Sequence, residues 1–374
     1  MNVLEEFRAR CGNHKIPRRI VQYSCRVAEK TNRKRTIITA VIGLIVMIGV
    51  FAFLFPNFGS YQQAFTQIAA LPTYWIWLLV AAGLLNIVAY PLTAMAAIPG
   101  LPYRAAFVDR QAGFLVSNIL PGGGAVAVGT QYSILAKYGV PPAKSAAAVS
   151  ADAIWTYLMV LGTPALAVVL LVIEGRSTAG FTTAAAVGIV VVLASVIGIW
   201  LVLRSQTSAE NLGRRLQPIA NRLWKLVKKP APDLVTILSA YNMEASELVR
   251  DRWLPLTLTN ALAQMTPWVV LIAALAALGV FPSPITPIEA FAAFSIALLL
   301  TSFPITPGGL GTVDAALVLL LTGFGIENST AVAADLLWRL VWFLPQLLVG
   351  LGAFGLYYFD GRRKRGSALP SPSS

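Results

Sequence analysis

Charge is scarce in this 374-residue chain: 12% of its residues are Asp, Glu, Lys or Arg, against 57% hydrophobic. Soluble domains carry about twice that charged fraction, and a mean hydropathy of +0.70 excludes a soluble globule. Metal and disulfide chemistry also lack ligands. The two cysteines, Cys11 and Cys25, and the single histidine, His14, all fall near the N-terminus, which is too few for a structural zinc site or a framework of bridges. Neither glycine-rich turn is followed by Gly-Lys-Ser or Gly-Lys-Thr, and there is no nucleophile elbow or His-Glu-x-x-His pattern. ATP hydrolysis is therefore unsupported, no cofactor is implied and no catalytic constellation is offered.

What the chain has is long apolar blocks, each of about 20 residues, the length that spans a bilayer as a helix. With the N-terminus inside, residues 37–55 run outward, 74–97 return, 145–173 run outward and 180–203 return. Beyond a long basic loop, 253–280 run outward and 332–359 return. This threading places all but Arg176 and Arg339 of the 29 basic residues on the inner side, Arg104 and Arg110 included. The positive-inside rule thus accounts for the net charge of +13 without a nucleic-acid partner. Both termini are expected in the cytoplasm.

Two apolar stretches remain, 105–135 and 288–325, each broken at its centre by Pro-Gly-Gly: Pro121, Gly122 and Gly123 in one, Pro307, Gly308 and Gly309 in the other. Proline lacks a donor and glycine frees the backbone, so neither stretch continues as one helix. The flanking runs are short for a span, and two re-entrant helical hairpins are expected, with pairs of tilted full spans as the competing topology. The chain also repeats itself. Pro121 matches Pro307, Gly139 matches Gly325, and the run from Asp152 to Trp155 matches that from Asp335 to Trp338. The expected fold is therefore an all-α polytopic membrane protein, about six transmembrane helices plus two re-entrant hairpins in two inverted repeats. Such repeats place a substrate site near the midplane, at broken helices.

The expected segments are a basic N-terminal stretch 1–36, a first repeat 37–203, a basic connector 204–252, a second repeat 253–359 and a tail 360–374. In the connector, Leu212, Leu216, Ile219, Leu223 and Leu226 form an apolar stripe among basic residues. A second stripe begins at Leu234, so a helical hairpin on the inner membrane surface is expected.

Ionisable residues inside spans are costly and mark sites. Arg339 is the sharpest candidate, because its guanidinium suits a phosphate oxygen pair. Asp335 lies one helical turn before it, close enough for the two to neutralise each other. Asp152 is the repeat mate of Asp335. Asp314 follows Gly311 and Thr312 in a first helical turn, where capping alone accounts for it. The Pro-Gly-Gly turns present backbone donors of the kind that hold phosphate, though tight hairpin tips would look the same.

At the run from Phe303 to Leu317, with Pro307, Gly308, Gly309, Gly311 and Asp314, and at Leu336 to Pro345 followed by Gly350, the chain resembles the lysylphosphatidylglycerol synthase transmembrane family. The resemblance runs from about Ile37 to Phe359. It implies a flippase-like inner-membrane protein that moves a lipid with a phosphate or polyprenyl-phosphate head group between leaflets. The Pro-Gly-Gly-Leu-Gly turn and Arg339 are the positions that match the family's motif. A stand-alone membrane domain, lacking the aminoacyl-transferase domain of larger members, is expected. The partners implied are membrane lipids, anionic or phosphate-bearing, and proteins of envelope biosynthesis. The alternatives are an ion-coupled transporter of a small anion, a membrane-embedded transferase and a structural scaffold.

Overall fold

The structure, a computed structural model, describes residues 58–120, 123–175, 200–226, 233–302 and 306–366, with short stretches between 190 and 198. The segment 1–36, the expected span 37–55, most of 180–203, Pro121, Gly122 and the tail beyond 366 lie outside these residues. Among the described residues every regular element is helical. In the first half these are α1 (Phe58–Ala69), α2 (Thr73–Ala89), α3 (Leu92–Ala97), α4 (Tyr103–Ile119), α5 (Gly123–Lys137) and α6 (Pro142–Ile173). Then come α7 (Gln206–Leu226), α8 (Leu234–Ala277), α9 (Pro287–Leu299), α10 (Thr312–Gly323), α11 (Asn328–Trp338), a π-helical turn (Arg339–Phe343) and α12 (Leu344–Gly366).

Thr73–Ala97, Lys144–Ile173, Leu248–Ala277 and Asn328–Tyr357 are long and apolar enough to cross a membrane. Their outer faces leave Trp77, Leu84, Leu166, Leu258, Leu348 and Leu351 exposed. An apolar surface of that extent is costly in water and at no disadvantage against acyl chains. The chain is an all-α polytopic membrane protein.

One order of elements occurs twice: a helix pair with Pro-Gly-Gly in the sequence between its members, then a helical segment long and apolar enough to cross a membrane. The pairs are α4 with α5 and α9 with α10, leading into α6 and into α11. Both pairs end alike. Gly139 and Gly325 adopt positive φ, 80° and 92°, and donate to Ala136 and Thr322 while Val140 and Ile326 donate to Leu135 and Leu321. This is the left-handed closure that glycine makes without steric penalty. The repeat mates Trp155 and Trp338 then dock on the same helix, α8, through indole donors to Thr257 Oγ1 at 2.8 Å and the Pro267 carbonyl at 2.9 Å.

With lipid outside, helix association depends on close packing and hydrogen bonds rather than on apolar burial. Glycine supplies the closeness. A Cβ on Gly83 of α2 would lie 2.6 Å from the Val341 carbonyl oxygen, and one on Gly350 of α12 would lie 2.5 Å from that of Gln111 on α4. Hydrogen bonds supply the rest. Pro267 has no N–H to give the Ala263 carbonyl, which instead accepts from Thr266 Oγ1 at 2.8 Å, while Thr266 accepts from Asn86 of α2 at 2.7 Å.

The helix α8 therefore continues across Pro255 and Pro267. The connector expected at 204–252 and the span expected at 253 share this one helix, with no break between them. On its N-terminal arm α7 packs closely, Gly213 against Val235, and Asp233 caps α8 through the Val235 and Thr236 amides. Hydrogen bonds from the Thr236 hydroxyl and amide hold the Asp233 carboxyl below its usual range.

Candidate functional site

The second Pro-Gly-Gly turn is built on three glycines with positive φ, Gly308 (63°), Gly309 (66°) and Gly311 (84°). That conformation is open to glycine and strained for other residues. It lets the chain reverse tightly and present the Gly308 and Gly309 carbonyls to one side. Arg339 reaches them from the long helix. Its Nη1 meets Gly308 O and its Nη2 meets Gly309 O, both at 3.4 Å, while Nε donates to Asp314 Oδ1 at 2.5 Å. Both charged side chains are largely buried, at 10% and 19% exposure.

The π turn that starts at Arg339 has a local cause. Pro345 lacks the N–H that the Val341 carbonyl would accept from, and a proline in that position loosens the preceding turn. Arg339 is thereby seated between the faces of Trp338 and Phe343, its guanidinium carbon 5.1 and 5.0 Å from the ring centroids.

Asp314 is both cap and counter-ion. Its second oxygen accepts the Gly311 amide at 2.5 Å, so the capping role expected of it is present, and the ion pair with Arg339 is additional. Thr312 donates back to the Gly309 carbonyl at 3.2 Å. Asp335, expected to neutralise Arg339 from one turn away, has Asp314 as its hydrogen-bond partner. One Asp335 oxygen is buried with no partner at all. Three of the turn's amides are occupied, Gly309 by Thr306 O, Leu310 by Pro307 O and Gly311 by Asp314.

Asp152 lies elsewhere, in a second buried centre. Its Oδ2 accepts from Arg110 Nη1 at 2.6 Å, and both side chains are 8% exposed. Its Oδ1 faces Asn260 of α8 at 3.5 Å. The positive-inside count places Arg110 at the membrane surface, and the structure buries it. Arg110 lies on the one face of α4 where Asp152 offers a full counter-charge, and Tyr90 covers it with its ring centroid 4.6 Å away. Sequence inspection missed both Arg110 and its neighbour Asp109, which is 2% exposed. Two adjacent opposite charges in the middle of a helix were the available signal.

The two centres are joined by rings. Tyr90 packs edge-on to Phe114 at 6.2 Å, and Phe114 to Phe343 at 5.8 Å. Arg110 caps one end of this row and Arg339 the other. The helix that carries Phe114 also touches the second turn, since a Cβ on Gly308 would lie 3.5 Å from the Asn118 carbonyl oxygen. Pro121 and Gly122 of the first turn lie outside the described residues. Gly123 is described, and its amide donates to Leu120 O at 2.8 Å. A Cβ there would strike the Val116 carbonyl, so glycine is required for the hairpin to close.

Fold and site together define a polytopic helical membrane protein with two buried charged centres, one of them at a Pro-Gly-Gly helix break. The family model of the lysylphosphatidylglycerol synthase TM region matches residues 40–350, and the chain belongs to that family of membrane proteins concerned with lipid. No curated protein matches the chain in sequence.

Proposed function

We propose that the protein is a flippase-like lipid translocase of the cytoplasmic membrane, moving a lipid with an anionic, phosphate-bearing head group between leaflets. On this reading the two helix pairs are re-entrant hairpins of inverted repeats, both termini are cytoplasmic, and no bond is made or broken. The bonding of Arg339 carries the proposal. One guanidinium nitrogen is held by a full ion pair to Asp314, while the two terminal nitrogens rest on carbonyls at 3.4 Å. Those two N–H groups form the fork that a phosphate takes bidentately at shorter range. The head group would displace two weak contacts and gain two charged ones, while the tails stay in lipid. Without such a centre a charged head group crosses hydrocarbon at a cost of several kcal/mol or more.

Identification of the lipids that co-purify with the gently extracted protein tests this. An enriched phosphate-bearing lipid is expected on the wild type, reduced on Arg339→Lys, which loses the fork, and lost from Arg339→Ala. The same lipid on all three proteins, or no enriched lipid on any, would sink the assignment and favour a transporter of a small soluble anion.

A further inference from the structure

The first-repeat centre has an unbalanced charge inventory. Asp109 and Asp152 face a single guanidinium, Arg110, and all three residues are more than nine-tenths buried. Arg110 is committed to Asp152 at 2.6 Å. Gln131 of α5 hydrogen-bonds the Asp109 side chain, yet one Asp109 carboxylate oxygen is buried with no partner, as is Arg110 Nε. A buried carboxylate oxygen without a donor is expensive, and a second negative charge next to a satisfied ion pair adds to the cost. Addition of one positive charge removes both.

We propose that this centre is a separate site whose ligand is a proton, carried on Asp109. The step adds a proton to the carboxylate to give the neutral acid, and no other bond changes. A metal cation fits poorly, since cations of this kind need several converging oxygens and the neighbouring guanidinium repels them. The titratable and charged groups around Asp109 are few. They are Arg110 on its own helix, Asp152 on α6 and, across Arg110, Tyr90 at the end of α2. From α12, Tyr357 packs near Val108 and Ala112 on the same helix, and α5 contributes the uncharged Gln131 and, at its end, Lys137, whose ammonium lies on Tyr357. The ring row from Tyr90 through Phe114 to Phe343 ends at Arg339, so a change in charge at Asp109 has a packed route to the head-group centre. Proton loading at Asp109 thereby makes transport sensitive to a pH gradient.

Two measurements test this, and only the second rests on the translocase reading. Infrared difference spectra of the protein in lipid nanodiscs, titrated from neutral to alkaline pH, report the carbonyl stretch of a protonated acid directly. The wild type is expected to show a band that disappears on titration, Asp109→Asn to lack it and Asp335→Asn to keep it. If Asp109→Asn does not fold, Asp109→Glu should show the band shifted. A band unchanged in the Asp109 variant, no band in the wild type, or a spectrum altered by replacing sodium with choline at constant pH would overturn the proposal.

In proteoliposomes with labelled phosphatidylglycerol, an imposed pH gradient is expected to accelerate the wild type. Asp109→Asn should exchange lipid at one rate, whatever that rate is, with and without the gradient. Gradient dependence kept by Asp109→Asn would overturn the coupling. Absence of any lipid movement by the wild type would instead count against the translocase reading, with the infrared result still standing on its own.

Discussion

Asp314→Ala is expected to lower the stability of the protein while raising its retention of anionic lipid. The stability loss follows from what is left behind. Arg339 remains buried with two carbonyls at 3.4 Å as its only described hydrogen-bond acceptors, and Gly311 loses its cap. Removing one member of a buried ion pair costs about 3–5 kcal/mol, and loss of a helix cap about 1 kcal/mol more. The lipid effect has the opposite sign because Asp314 holds the place of a head-group anion. With it gone, a phosphate meets one competitor fewer for Arg339, Asp335 remaining one turn away. Thermal unfolding in detergent with and without phosphatidylglycerol checks both, and added lipid should restore most of the loss. If stability and lipid retention fall together, Asp314 is a scaffold residue and does not compete with the ligand.

The second large effect is expected at Arg110. Arg110→Ala leaves Asp109 and Asp152 buried side by side with only Gln131 and the 3.5 Å contact to Asn260 for support. A destabilisation of about 3–5 kcal/mol is expected. The double variant Arg110→Met with Asp152→Leu, which removes the pair as a unit, should recover most of it, since apolar replacements of buried pairs are often neutral. Unfolding of wild type, Arg110→Met, Asp152→Leu and the double variant in nanodiscs measures the coupling. Arg110→Ala within about 1 kcal/mol of the wild type, the range of an exposed pair, would show that Arg110 reaches water.

Length and hydropathy are properties of a linear segment, and for that reason the apolar spans around residues 74–97, 145–173, 253–280 and 332–359 are legible in the amino-acid sequence alone. The Pro-Gly-Gly breaks are legible for a related reason, since a missing donor and a positive φ are local. Arg339 stands out as the one basic residue in an apolar run. Its partner does not. Asp335 is the neighbour that helical spacing offers, whereas Asp314, 25 positions away in sequence, is brought to Arg339 by the reversal at Gly325 between α10 and α11. Arg110 is hidden by the charge count itself, because a basic residue near a span end looks the same whether it reaches the interface or pairs inward with Asp152. The unbroken α8 is obscured by Arg250, Asp251, Arg252 and Pro255, which resemble a boundary. The helix passes them because only one donor is lost at each proline, and at Pro267 Thr266 satisfies the freed carbonyl.

The most direct measurement is leaflet exchange of fluorescent phosphatidylglycerol in proteoliposomes, read by chemical quenching from outside, with wild type, Arg339→Lys and Arg339→Ala compared at equal reconstitution. Exchange by the wild type, impaired with lysine and abolished with alanine, is the predicted result, because a lysine keeps the charge and loses the two-pronged fork. Exchange at the wild-type rate by both variants would contradict the assignment of Arg339 to the head group and return it to a purely structural ion pair.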